Sequence, residues 1–216
     1  MREPKDVSRS EVYRYMGFKD GFPEPHLQEI YEEVIVQVAE ASNPKFCSLD
    51  TDIVICDNKI SLNGFSVESN ALAKHFCDCK KGVIFAATLG APVDRLIYKY
   101  SMLSPAKAVA AQAAATAVIE MYADDICKII SDEYEKNGEY ITPRFSPGYG
   151  DLSLLCQSDF LKALDAGRKI GVCLTDAGML APVKSITAVV GVSKTKYDCV
   201  SGKCSSCPNT GCSYRV

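Results

Sequence analysis

A chain of 216 residues, 47% of them hydrophobic, has apolar surface enough for one sizeable core. Its 24 basic residues are scattered among 27 acidic ones, which leaves no basic face for phosphates and argues against nucleic acid as a partner. No stretch approaches the ~20 apolar residues of a membrane span and no apolar run follows the charged start Met1–Asp6, so a cytoplasmic protein without membrane attachment is expected. Eleven cysteines with no secretion signal are expected as reduced thiols or metal ligands, not as disulfides.

Ser8 and Ser10 ahead of Val12, Tyr13, Tyr15 and Met16 predict a short capped helix ending at Gly17, and residues 21–25 are a breaker. From His26 to about Ser42, apolar side chains at Leu27, Ile30, Tyr31, Val34, Ile35 and Val38 recur at intervals of three and four, the pattern of an amphipathic helix. Thr51–Cys56 and Lys59–Leu62 around Asp57 and Asn58 read as a hairpin, because that dipeptide accepts positive φ. A helix near Ser69–Cys79 follows. Gly82–Gly90 is a continuous apolar run that fits a strand buried on both faces, placed centrally in a sheet.

Ser104 and Pro105 form an N-cap and first helical position, and the absence of Gly and Pro from there to Lys136, with Gly138 as a stop, predicts the longest helix. Ala110, Ala113, Ala114 and Ala117 share one face, where a neighbouring backbone or a ligand can approach closely, and Glu120 borders it. A short helix near Ser158–Ala166 and strands near Lys169–Leu174 and Lys184–Gly191 complete the reading. The fold class is α+β: a twisted, mostly antiparallel sheet with packed helices, over a domain of residues 1–193, and a Cys-rich tail of residues 194–216.

Two prolines and two glycines stiffen the loop from Thr142 to Asp151, which suits contact with a ligand at little ordering cost. Within it Arg144 has the fork to meet a carboxylate with two hydrogen bonds, and Tyr149 offers a flat face with a polar tip. An ordinary surface turn with a solvated arginine accounts for these residues equally well.

Arg144-x-x-x-Gly148-Tyr149 resembles the S-adenosylmethionine-binding signature in the activation domain of cobalamin-dependent methionine synthase. The stretch from Arg144 through Phe145, Ser146 and Pro147 to Asp151 is still more similar to the short stand-alone versions of that domain. Residues 13–17, 87–90 with Asp94 and Arg95, and 179–185 resemble three further motifs of the family, in its order.

The resemblance implies a reactivation subunit that binds S-adenosylmethionine and offers its methyl group to cobalamin carried by a separate methionine synthase, with a flavodoxin or ferredoxin as electron donor. It implies Arg144 as partner of the ligand carboxylate, Gly148, Tyr149, Ser146 and Pro147 around the ligand, and Glu120 beside its ammonium or sulfonium; a solvated helix glutamate is the alternative for Glu120. The chain departs from the longer enzymes at Gly150 and Asp151, where they continue with Pro and Cys, and at Val189 and Val190, where they place an aromatic residue. No glycine-rich loop of the Rossmann methyltransferases is present.

Cys199, Cys204, Cys207 and Cys212 put four thiols into fourteen residues of Gly- and Ser-rich chain. They fit an iron–sulfur cluster, tetrahedral zinc or an unmetallated tail alike. An iron–sulfur activator of another corrinoid protein and a non-catalytic interaction module of the same fold therefore remain as rival readings. Cys77 and Cys79 with His75 are read as structural, since positions i and i+2 on a helix point apart. Cys47, Cys56, Cys127, Cys156 and Cys173 are expected in the core, and His26 at the surface.

Overall fold

The computed structural model describes residues 1–18 and 23–196, so part of the expected 21–25 breaker and all four tail cysteines, from Cys199 to Cys212, lie outside the described residues. In chain order the elements are α1 (Arg9–Tyr15), α2 (Pro25–Ala41), β1 (Lys45–Cys56), β2 (Lys59–Leu62), β3 (Phe65–Glu68), α3 (Asn70–His75), β4 (Lys81–Thr88), α4 (Ala91–Leu103), α5 (Pro105–Glu135), β5 (Tyr140–Ile141), α6 (Gln157–Leu164), α7 (Ala166–Ile170), β6 (Cys173–Leu174), β7 (Leu180–Ala181) and β8 (Ser185–Ser193).

Strand β4 is buried from Gly82 to Thr88 because its two faces serve two cores: Val83, Phe85 and Ala87 point into one, Ile84 and Ala86 into the other. A strand without a polar face belongs in mid-sheet. It pairs antiparallel with β1 on one side and β8 on the other, and the sheet runs β3-β2-β1-β4-β8-β5 with every pairing antiparallel. Helices α1, α2, α4 and α5 close one face, and α3, α6 and α7 the other.

Helix α5 begins as its sequence dictates. Ser104 accepts from the Lys107 amide, Pro105 takes the first position, and 31 residues follow, roughly 46 Å at 1.5 Å each. Most of its alanine face is covered by protein: Ala110, Ala111, Ala113, Ala114 and Ala117 are buried where α1, α2 and α4 cross it, and Ala113 also borders a groove. The missing side-chain bulk lets those helices approach the sheet-covering helix closely.

Several boundaries differ from the expected ones. The first hairpin strand starts at Lys45, because Lys45–Asp52 pair with β4 before Ile53–Cys56 pair with β2. Helix α3 ends at His75, where a turn closes through the Cys79 amide on the Phe76 carbonyl. The region of Asp94 and Arg95 is the first turn of α4, with Pro92 inside that turn and Val93, Ile97 and Tyr100 on its buried face. Residues 169–174 are mostly helix and loop: left-handed Asp165 ends α6 and starts α7, leaving only Cys173–Leu174 as strand. Cys47 and Cys156 are buried and Cys127 partly so, whereas Cys56 and Cys173 are exposed, contrary to a core placement: Cys56 ends β1 at the hairpin turn, and Cys173 lies in a two-residue strand. His26 is exposed.

Candidate functional site

The loop after β5 is stitched to β8 before it turns. Thr142 donates its amide to the Gly191 carbonyl (2.8 Å) and accepts the Gly191 amide on Oγ1 (2.9 Å), and Phe145 and Val189 exchange both backbone bonds at 2.9 Å. The turn then closes on itself through Tyr149 N to Ser146 O, Gly148 N to Leu152 O and Leu152 N to Tyr149 O. Gly148 has φ +91°, a conformation that L side chains avoid, and this bends the chain back so that Tyr149 stands out. Tyr149 is 47% exposed, and its ring meets Phe145 edge-on at 6.0 Å.

This route carries the Arg144 side chain onto α5. Its two outer nitrogens are taken by Glu120 and Asp124, which lie one helical turn apart on one face. The Arg144 side chain is only 4% exposed, against 33% for Glu120 and 57% for Asp124. Burial works against its charge, yet the two carboxylates together hold it above its ordinary range. One cation between two anions leaves the cluster a net charge of −1. Arg144 Nε and Ser146 Oγ are buried with no hydrogen-bond partner among the described residues, and Pro147 separates Ser146 from Gly148 in the turn. Burial, then Glu120, raises the Tyr149 hydroxyl pKa.

One turn before Glu120 on α5, Thr116 borders a concavity of about 520 Å³, whose lining includes Tyr15, Ile97, Gln112, Thr116 and Lys184. Lys184 Nζ donates to Thr116 Oγ1 at 2.9 Å, and burial lowers its pKa. Tyr15 links this groove to the acidic cluster: burial, then the charge of Glu120, raises its phenol. Sequence motifs far apart meet here. Asp94 Oδ2 accepts the Val183 amide (2.8 Å), and the Lys184 carbonyl accepts the Leu89 amide (2.9 Å).

The structure thus brings Arg144, Ser146, Pro147, Gly148, Tyr149 and Glu120 into one region. Asp124 joins them without having been singled out, although its i+4 spacing from Glu120 was a signal. Asp151, where the chain departs from the longer enzymes, accepts from Ser69 Oγ, Asn70 N (2.8 Å) and Ala71 N (3.1 Å) at the start of α3. Among the described residues no group of three or more His, Cys, Asp or Glu is placed to hold a metal ion, and no helix is long and apolar enough to cross a membrane. Cys79 packs against Gly191, Cys77 is exposed, and His75 Nε2 meets the Pro143 carbonyl at 2.7 Å.

No protein-family model matches the chain, and no curated protein matches its sequence. Among solved structures, the MetH reactivation domain bound to AdoHcy is similar, with a TM-score of 0.64 and 12% identity over 86% of this chain and 73% of that one. The six-stranded antiparallel sheet and its helices, long α5 included, are therefore the fold of that reactivation domain.

Proposed function

We propose that the protein binds S-adenosylmethionine at the Arg144–Tyr149 turn and serves a separate cobalamin-dependent methionine synthase as its reactivation subunit. The observation that carries this is the meeting of that turn with Glu120, on a fold whose solved counterpart holds AdoHcy. The cluster fits the ligand chemically. Its net negative charge suits an ammonium and a sulfonium, and Arg144 is the neighbouring cation for a carboxylate.

Each outer nitrogen of Arg144 already faces a carboxylate, and the ligand carboxylate takes the place of one acid there. Asp124 is the more exposed of the two and loses less on release to water. Glu120 stays to face the ligand's positive charge, and Tyr149, standing out of the turn, flanks it. When bound, S-adenosylmethionine supplies the methyl group for the reduced corrinoid of the partner, while a flavodoxin- or ferredoxin-type donor supplies the electron. The chain contributes position and charge; no nucleophile of its own is needed.

The test is a transfer assay with the host's own methionine synthase poised as cob(II)alamin, a reductant and methyl-labelled S-adenosylmethionine. Label entering the partner's corrinoid only when this chain is added supports the reading. Equal labelling without the chain contradicts it.

A further inference from the structure

We infer that Asp151 and His75 are positioning residues that hold the Arg144–Tyr149 turn in its binding conformation, with α3 as the strut between them. What the turn binds rests on the function proposed above; that it is held this way does not.

The turn is gripped at both ends. Before Arg144, the Pro143 carbonyl accepts from His75 Nε2 at 2.7 Å; after Gly150, the Asp151 carboxylate accepts from Ser69 Oγ and the amides of Asn70 and Ala71. These grips sit at opposite ends of α3, whose first and last residues, Asn70 and His75, are roughly 7.5 Å apart along the axis. A helix of fixed length therefore sets the spacing between the two ends of the turn. The strut is itself fixed to the core by Leu72 and by Phe76 just beyond its end, both fully buried.

The faces between the grips are also in contact. A Cβ on Gly150 would come within 2.9 Å of the Ala71 Cβ, and the His75 ring lies 5.4 Å from the Phe145 ring, which in turn meets Tyr149. A carbonyl only accepts, so His75 Nε2 carries the proton. Ser69 already caps the Leu72 amide through its own hydroxyl, so the Asp151 bonds do more than begin the helix: they tie it to a segment some 80 residues away.

Hydrogen exchange reads this without any ligand. In Asp151→Ala and in His75→Phe, the amides of Gly148, Tyr149 and Leu152 are expected to exchange about tenfold faster or more, while those of β4 and β8 keep their wild-type rates. His75→Gln, which restores a donor toward Pro143, is expected to recover most of the protection. Asp151→Asn serves if the alanine variant fails to fold. Calorimetry with AdoHcy adds a second readout: Asp151→Ala weakens binding about tenfold in the wild-type background and has little further effect once Arg144 is alanine, because it acts through that side chain. Turn amides that exchange at wild-type rates, or turn and sheet amides that accelerate equally, would overturn the inference. If the wild type ignores AdoHcy while the exchange pattern holds, the ligand reading fails and the clamp stands.

Discussion

Glu120 and Asp124 hold the same guanidinium, yet they differ in exposure and should differ in effect. If S-adenosylmethionine binds as proposed, removing charge from Glu120 deprives its sulfonium of a counter-charge, so Glu120→Gln is expected to weaken binding about tenfold, as for the loss of one charge-assisted contact. On the proposed reading Asp124 competes with the ligand carboxylate for Arg144, so Asp124→Asn should leave affinity unchanged or improve it. Titration of both variants decides the matter, and an equal loss in the two would remove the distinction. Neither carboxylate is fully buried, so replacing Arg144 strands no wholly desolvated charge; Arg144→Ala should cost roughly 1–3 kcal/mol of stability and remain foldable.

The close fit between the turn after α3 and β8 makes a separate prediction. A Cβ on Gly191 would lie 2.6 Å from Cys79 Sγ and 2.8 Å from a Phe76 ring carbon. Gly191→Ala should therefore destabilise by about 1–3 kcal/mol, seen as a lower Tm, and disturb the Thr142 bonds that launch the binding turn. Much of this layer was legible in the sequence. Gly82–Gly90 announced a two-sided strand, and Ser104, Pro105 and Gly138 bounded α5, because those signals are local. Helix α4 was missed because Gly90 and Pro92 look like a loop after a strand, although Pro92 also fits a first helical turn. The turn at 144–149 was legible as a motif, whereas the filling of Arg144's fork was not: Glu120 and Asp124 lie 24 and 20 residues earlier and meet it only because β5 returns along the sheet edge beside α5. The placement of Asp151 on α3 was equally out of reach, since it joins segments some 80 residues apart.

Across the molecule, burial sorts the thiols among the described residues. The Cys156 pKa is pushed up to about 11, chiefly by burial, and that of Cys47 is also raised. Alkylation at neutral pH should reach Cys56, Cys77 and Cys173 quickly and Cys47 and Cys156 only on unfolding; mass spectrometry of peptides from the labelled protein checks this. Acid should act through depressed carboxylates. Asp151 is held low by the Ser69 hydroxyl and then by the amides of Ala71 and Asn70, and Asp125, despite burial, by Arg2. Their stabilisation is complete above the ordinary carboxylate range and fades as pH falls through the lower folded values. Tm should therefore decline in acid, and Asp151→Asn should flatten that decline.

The central claim is that the turn grips the zwitterionic end of S-adenosylmethionine, and titration calorimetry on the wild type and on folded Arg144→Ala tests it most directly. Saturable one-to-one binding by the wild type, lost or weakened at least tenfold in the variant, is the expected result. Equal binding by both proteins, or none by the wild type, would contradict it.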